Sequence, residues 1–85
     1  MKAAELSHRQ LELLRIVAEG AGRWDARWID ITMTARNGAG EMTVLDELRL
    51  LEELGLVVAD PSGIGVGGRW SVTSIGENYV ERNDE

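Results

Sequence analysis

The fold of this chain is decided by one stretch, Thr43-Val44-Leu45-Asp46-Glu47-Leu48-Arg49-Leu50-Leu51-Glu52-Glu53-Leu54-Gly55-Leu56-Val57. Leu45, Leu48 and Leu51 recur every three residues, which predicts the apolar face of a helix lying on a core. Val44 and Leu54 fall close to the same stripe.

Both ends of this helix carry local signals. Thr43 can cap the start, and Asp46 suits the positive end of the helix dipole. Gly55 is expected in the left-handed conformation that ends a helix, with Leu56 touching Leu51 as in a Schellman motif. Residues 56–59 then favour a strand, so the helix passes directly into a strand.

A second helix is predicted upstream. Ser7 and Gln10 form a capping box, and the helix that follows runs to about Gly20. Its expected buried stripe consists of the apolar residues Leu11, Leu13, Leu14, Val17 and Ala18. Its charged residues alternate in sign three or four positions apart, which indicates a solvated outer face laced by ion pairs: Arg9, Glu12, Arg15 and Glu19.

Residues 28–35 fit two structures. Their apolar positions alternate with polar ones, as in a strand. Asp25, however, is a good helix cap, and Asn37 followed by Gly38 would end a helix well. We predict a short strand or turn near Trp24 followed by a helix, although the local pattern alone leaves the strand open.

The C-terminal third predicts a hairpin and a short last helix. A turn signal at 60–63 leads into a glycine-rich loop and a strand over 69–73, after which Thr73 can cap a helix. Residues 63–68 match the dinucleotide string G-x-G-x-x-G, but a strand follows where phosphate binding needs a helix. A nucleotide site is therefore not indicated.

Length, cysteine content and net charge limit the classes of protein to which this chain can belong. The 85 residues predict one domain, with 1–6 and 82–85 frayed, and no membrane span or signal segment. The chain has no cysteine, which fits a cytoplasmic protein. The net charge of −6 opposes binding to a polyanion, because phosphate neutralisation supplies much of the affinity for nucleic acid.

The chemistry-bearing residues do not indicate an enzyme. The lone histidine, His8, lies in the first turn of a helix, and no cysteine or serine–histidine–acid set can be assembled. Neighbouring carboxylates such as Asp46 and Glu47 point to different sides of their helix. No loop has calcium-binding spacing, so neither a metal nor another cofactor is expected.

The order helix, helix, helix, strand, glycine-rich loop, strand, short helix resembles a winged helix–turn–helix domain. Two strings carry the resemblance, one with leucines at 48, 51 and 54 before Gly55-Leu56-Val57, and the other over 68–76 from Gly68-Arg69-Trp70 to Gly76. They resemble small bacterial transcription regulators of the PadR, MarR and ArsR kind. The resemblance implies an α+β fold with a three-helix core, a C-terminal β-hairpin wing and a short last helix.

The resemblance also implies a binding surface. The 43–54 helix would enter the major groove of duplex DNA, and the 60–69 loop would touch the neighbouring backbone. The positions that would face DNA or a partner are Thr43, Asp46, Glu47, Arg49, Leu50, Glu53, Ile64, Val66 and Arg69. A candidate basic patch adds Arg23, Arg27 and Arg36.

Two functions follow from this reading. The first is a small DNA-binding transcription regulator, able to act as a homodimer, whose arginines gather into one patch. The second is an acidic winged-helix protein-interaction module that does not bind DNA and uses the 43–54 helix and the wing tip. Fold analogy favours the first function and the acidic charge favours the second.

Overall fold

A computed structural model of the protein describes residues 6–60 and 68–82. Their elements follow in the order α1 (His8–Gly20), β1 (Trp24–Asp25), α2 (Ala26–Asn37), α3 (Val44–Glu53), β2 (Val57–Ala59), β3 (Arg69–Val72) and α4 (Ser74–Arg82). The predicted α+β winged-helix architecture is confirmed, with three helices packed on a small antiparallel sheet and a fourth helix at the end.

Helix α1 begins at the predicted capping box. The Ser7 side chain accepts from the Gln10 N–H, and the Gln10 side chain accepts from the Ser7 N–H. Its buried face includes Ile16, which the predicted stripe left out, while Leu11 and Ala18 are only partly buried. The helix is therefore rotated slightly from the orientation that the stripe implied.

Residues 28–35 are helical. The Asp25 side chain accepts from the Trp28 N–H at 2.9 Å and caps α2. Ile29 and Met33, four residues apart, are fully buried, whereas Ile31 between them is exposed. A strand would have placed all three on one face, so the helical spacing accounts for the burial and the alternation does not.

Helix α3 ends as predicted. Gly55 has a φ of +80°, the Leu56 N–H donates to the Leu51 carbonyl at 3.0 Å, and the Gly55 N–H donates to the Glu52 carbonyl at 2.9 Å. Leu48 and Leu51 are fully buried. Leu54 is not part of the buried face, because it is the last residue before the turn and 44% of its surface is exposed.

The sheet has the order β1-β3-β2, with both pairs antiparallel. Strands β2 and β3 form the predicted hairpin, with Val57 opposite Val72 and Ala59 opposite Trp70. Strand β1 adds a third strand on the other side of β3, with Trp24 opposite Trp70. The wing tip, including Ile64 and Val66, lies outside the described residues.

Helix α4 starts where Thr73 was predicted to cap it. The Thr73 hydroxyl accepts from the Gly76 N–H at 3.1 Å and donates to the Gly55 carbonyl at 2.6 Å. Ile75 lies on the outer face of α4 and is 62% exposed. Tyr79 and Val80 pack against the core instead.

The first residue that the structure describes is also held in place. The Leu6 N–H donates to the Tyr79 hydroxyl at 3.1 Å, and its side chain packs against the core. This contact joins the segment before α1 to α4, a segment that the sequence alone placed in a frayed lead-in.

Candidate nucleic-acid interface

Helix α3 has one face in the core and one face free. Val44, Leu48 and Leu51 are buried against the other elements. Of the positions on this helix that the sequence assigned to the interface, all except Glu47 are exposed: Thr43, Asp46, Arg49, Leu50 and Glu53. An exposed helix face that follows a second helix after a short turn is the arrangement that a helix–turn–helix domain uses to reach a DNA groove.

Glu47 is the exception. It was expected on the exposed face, but only 4% of its surface is accessible and its carboxylate accepts from Arg9 Nε at 3.3 Å. Position 47 lies three residues after Val44 and four before Leu51, so helical spacing places it on the core side. That spacing is present in the sequence, and it is the signal that places Glu47 on the core side, whereas the resemblance had placed it on the exposed face.

Arg9 contacts the turn between α2 and α3 as well. Its Nη1 donates to the Gly38 carbonyl at 3.0 Å, and its guanidinium lies over Gly40. Two open grooves, of about 500 Å³ and 230 Å³, are both lined by this arginine and by residues 39–42. The predicted ion pairs along α1 are therefore confirmed in part. Arg15 bonds to Glu12 at 2.7 Å within the helix, whereas Arg9 pairs with Glu47 of α3.

Arg36 is also engaged. It donates to both carboxylate oxygens of Glu19 on α1, at 2.9 and 3.0 Å. The hydrogen bonds from Arg36 hold the pKa of the Glu19 carboxyl below its ordinary value, against a smaller opposing effect of burial. The same hydrogen bonding raises the pKa of Arg36.

The candidate basic patch is divided by the geometry of α2. Arg27 and Arg36 are nine residues apart, which at 3.6 residues per turn places them on opposite sides of the helix, about 180° apart. Arg23 precedes β1, and its Nε donates to the Gly20 carbonyl at 3.3 Å. Arg27 and Arg36 therefore lie on different faces of α2.

Arg69 occupies the base of the wing. It is exposed at the start of β3 and lies opposite Asp25 in the sheet register. The remaining wing positions that were assigned to binding, Ile64 and Val66, belong to the stretch 61–67 and stay predictions.

The tryptophans near the start of α2 are rim residues. Trp24 is half-buried against the core, and Trp28 is 50% exposed, with the two rings 6.2 Å apart in an edge-on arrangement. Trp24 therefore contributes to the core, and Trp28 lies at its rim.

Residues 6–60 and 68–82 were compared with two structural criteria, a cluster of metal-ligating side chains and a membrane-spanning helix. No group of three or more potential metal-ligating side chains occurs among them. Within the same ranges, no helix is both long and apolar enough to span a bilayer.

Comparison with known proteins supports the fold. No protein-family model matches the chain, and no curated protein matches it. The solved structure of SSV1 F-93 is similar, with a TM-score of 0.73 and 14% sequence identity, over 93% of this chain and 81% of that chain. At this identity the likeness shows a shared winged-helix fold without assigning the chain to the PadR, MarR or ArsR kind of regulator.

Proposed function

We propose that the protein is a small winged-helix DNA-binding protein that regulates transcription. The single observation that supports this most strongly is the geometry of α3, which buries Leu48 and Leu51 and leaves the opposite face free after a short turn from α2. In this proposal the free face of α3 enters the major groove, and Arg69 lies beside the neighbouring phosphates.

The burial of Glu47 makes this proposal easier to reconcile with the acidic charge. One of the three carboxylates assigned to the DNA-facing surface is turned into the protein and paired with Arg9. Asp46 and Glu53 remain beside Arg49. Carboxylates oppose phosphate but can accept a hydrogen bond from the amino group of cytosine in the major groove.

The proposed binding therefore depends on base contacts more than on phosphate neutralisation. Non-specific binding to DNA comes almost entirely from phosphate contacts, so a face with two carboxylates should weaken it. Binding at a matched site would keep the contacts to base edges, and the ratio of specific to non-specific affinity would rise.

The test begins with selection of duplexes from a random-sequence pool at low salt, followed by anisotropy titration of the enriched duplex and a shuffled duplex. Arg49→Gln and Arg69→Gln should weaken binding to the enriched duplex by about tenfold each, since each removes a proposed DNA contact. The matched control is Arg82→Gln, which makes the same charge change on α4 and should have little effect.

The outcome separates the two functions that the sequence left open. Equal weakening by all three variants would mean that only net charge matters and that α3 is not the contact surface. If no duplex is enriched and the wild type binds none at low salt, the DNA-binding proposal is wrong and a protein partner becomes the better candidate.

A further inference from the structure

We propose that Arg9 of α1 is the positioning residue of α3, holding the turn of residues 38–43 that sets the angle between α2 and α3. The importance of this angle for DNA rests on the proposed function, but the positioning itself is a property of the fold. Arg9 lies in the first turn of α1, 38 residues before Glu47 in the chain.

One side chain connects three elements. Arg9 Nε donates to Glu47 Oε1 at 3.3 Å, in the first turn of α3, and Arg9 Nη1 donates to the Gly38 carbonyl at 3.0 Å, at the end of α2. The Glu47 carboxylate is nearly enclosed, with a side-chain exposure of 5%, so Arg9 is a counter-charge that water does not replace. The guanidinium therefore ties the beginning of α3 and the end of α2 to α1.

Little else in the described structure fixes this turn. Its residues, 38–43, are all exposed, including the apolar Met42. Residues 39–42 line both grooves beside Arg9, and none of them belongs to the core cluster or is among the apolar residues packed against it. Among the described residues, the hydrogen bond that joins the turn to α1 is the one from Arg9 to Gly38.

Gly40 leaves the space that the guanidinium occupies. A Cβ atom at this position would lie 2.5 Å from Arg9 Nε and 2.7 Å from Cζ. Gly40 does not have a positive φ, so its backbone could accept alanine without strain. Alanine here should displace a flexible side-chain end and leave the backbone in place, which makes Gly40→Ala a way to remove the Arg9 contacts without touching Arg9.

Lysine cannot replace this arginine. The guanidinium directs separate N–H groups to Glu47 and Gly38 at once, whereas a lysine ammonium is a single point donor on a flexible stem. Arg9→Lys should keep the charge and lose the simultaneous contacts.

The experiment measures amide hydrogen exchange in the wild type, Arg9→Lys, Gly40→Ala and the double variant. The informative amides are those of Asp46 and Glu47, which donate to the Thr43 hydroxyl and carbonyl in the first turn of α3. Both single variants should speed their exchange by about tenfold relative to residues 13–17 of α1. The double variant should exchange no faster than either single one, because both changes remove the same contacts.

Arg15→Lys is the matched control, since Arg15 bonds to Glu12 within α1 and should leave α3 exchange unchanged. The proposal is overturned if exchange at Asp46 and Glu47 stays within about twofold of the wild-type rate in both variants. It is also overturned if exchange in α1 rises as much as exchange at these two amides. If Arg9→Lys fails to fold, Gly40→Ala decides the question alone.

DNA affinity is a separate readout. On an enriched duplex, Arg9→Lys and Gly40→Ala should each bind about tenfold more weakly than the wild type, although neither residue belongs to the exposed face of α3. A wild type that binds no duplex would refute the proposed function and leave the exchange result to decide the positioning. If the variants speed exchange selectively at Asp46 and Glu47 but bind DNA as tightly as the wild type, then the positioning of α3 does not serve DNA binding.

Discussion

Leu48 and Leu54 are the same residue type on α3 in opposite surroundings. Leu48 has no accessible surface and belongs to the core cluster together with Leu14 and Val17 of α1. Leu54 ends the helix at the surface. Because the two positions carry the same side chain, one inside α3 and one at its C-cap, they compare a buried leucine with an exposed one.

Leu48→Ala should lower the free energy of unfolding by about 2–5 kcal/mol, through lost apolar burial and the cavity left behind. Leu54→Ala, the matched control, should lower it by less than about 1 kcal/mol because its side chain is already partly in water. Urea denaturation of both variants measures this. Equal losses in the two variants would contradict the assigned orientation of α3.

At the scale of elements, α4 is fastened to the turn between α3 and β2. The Thr73 hydroxyl donates to the Gly55 carbonyl, and the Thr73 N–H donates to the Leu56 carbonyl at 3.0 Å. Gly76 is buried against the Leu56 backbone. A Cβ atom at Gly76 would overlap the Leu56 carbonyl oxygen, so α4 can cross here only because residue 76 has no side chain.

Gly76→Ala tests this crossing through the sign of its effect. In an open helix, replacing glycine with alanine would raise stability by about 1 kcal/mol. Here the overlap with backbone should reverse the sign and cost about 1–3 kcal/mol. Thermal unfolding measures this change in stability. The control is Asn78→Ala at an exposed position of the same helix, which should not destabilise the protein. A stabilised Gly76→Ala variant would show that α4 packs differently.

The contact between α1 and α2 should depend on pH. Because Arg36 holds the pKa of Glu19 below its ordinary value in the folded state, ionised Glu19 stabilises the fold. That contribution is complete above the pKa of Glu19 in the unfolded chain and is lost as the pH falls through the lower folded pKa.

Arg36→Gln should therefore be less stable than the wild type at neutral pH, and the two stability curves should converge in acid. Urea titrations across the acidic range measure the difference. The control is Arg27→Gln, on the opposite side of α2, whose curve of stability against pH should run parallel to that of the wild type. If the difference in stability between wild type and Arg36→Gln does not change with pH, the ion pair with Glu19 is not its cause.

At the scale of the whole molecule, the net charge of −6 governs the approach of any polyanion. Two exposed carboxylates on the free face of α3, Asp46 and Glu53, would lie nearest to phosphates in the proposed complex. We expect the wild type to bind random duplex DNA only at about 10⁻⁴ M or more weakly at physiological salt.

Changing Asp46 and Glu53 to lysine moves the net charge from −6 to −2 and leaves the buried Glu47–Arg9 pair intact. Affinity for random duplex should rise, and the salt dependence should steepen by up to about 0.9 for each new phosphate contact. The control changes Glu77 and Glu81 on α4 to lysine, with the same net charge. Equal gains in both double variants, or tight salt-sensitive binding by the wild type, would contradict the assigned DNA-facing surface.

The sequence by itself determined where the helices begin and end. Ser7, Asp25 and Thr43 each accept a hydrogen bond from the backbone N–H three residues later, and Gly55 supplies the left-handed turn after α3. These interactions involve residues only a few positions apart, so local spacing is sufficient to predict them. The exposed face of α3 was also largely predictable, because helical periodicity fixes it once the buried leucines are known.

The tertiary structure decided which contacts form between segments that are distant in the sequence. Arg9 of α1 supplies the counter-charge for the buried Glu47, and residues 28–35 form a helix whose inward residues, Ile29 and Met33, complete the core. The arginines at 27 and 36 are divided by the winding of α2 and by the Glu19 partner on α1. A charged side chain is stable inside only when another segment supplies its counter-charge, and that pairing depends on how the helices pack.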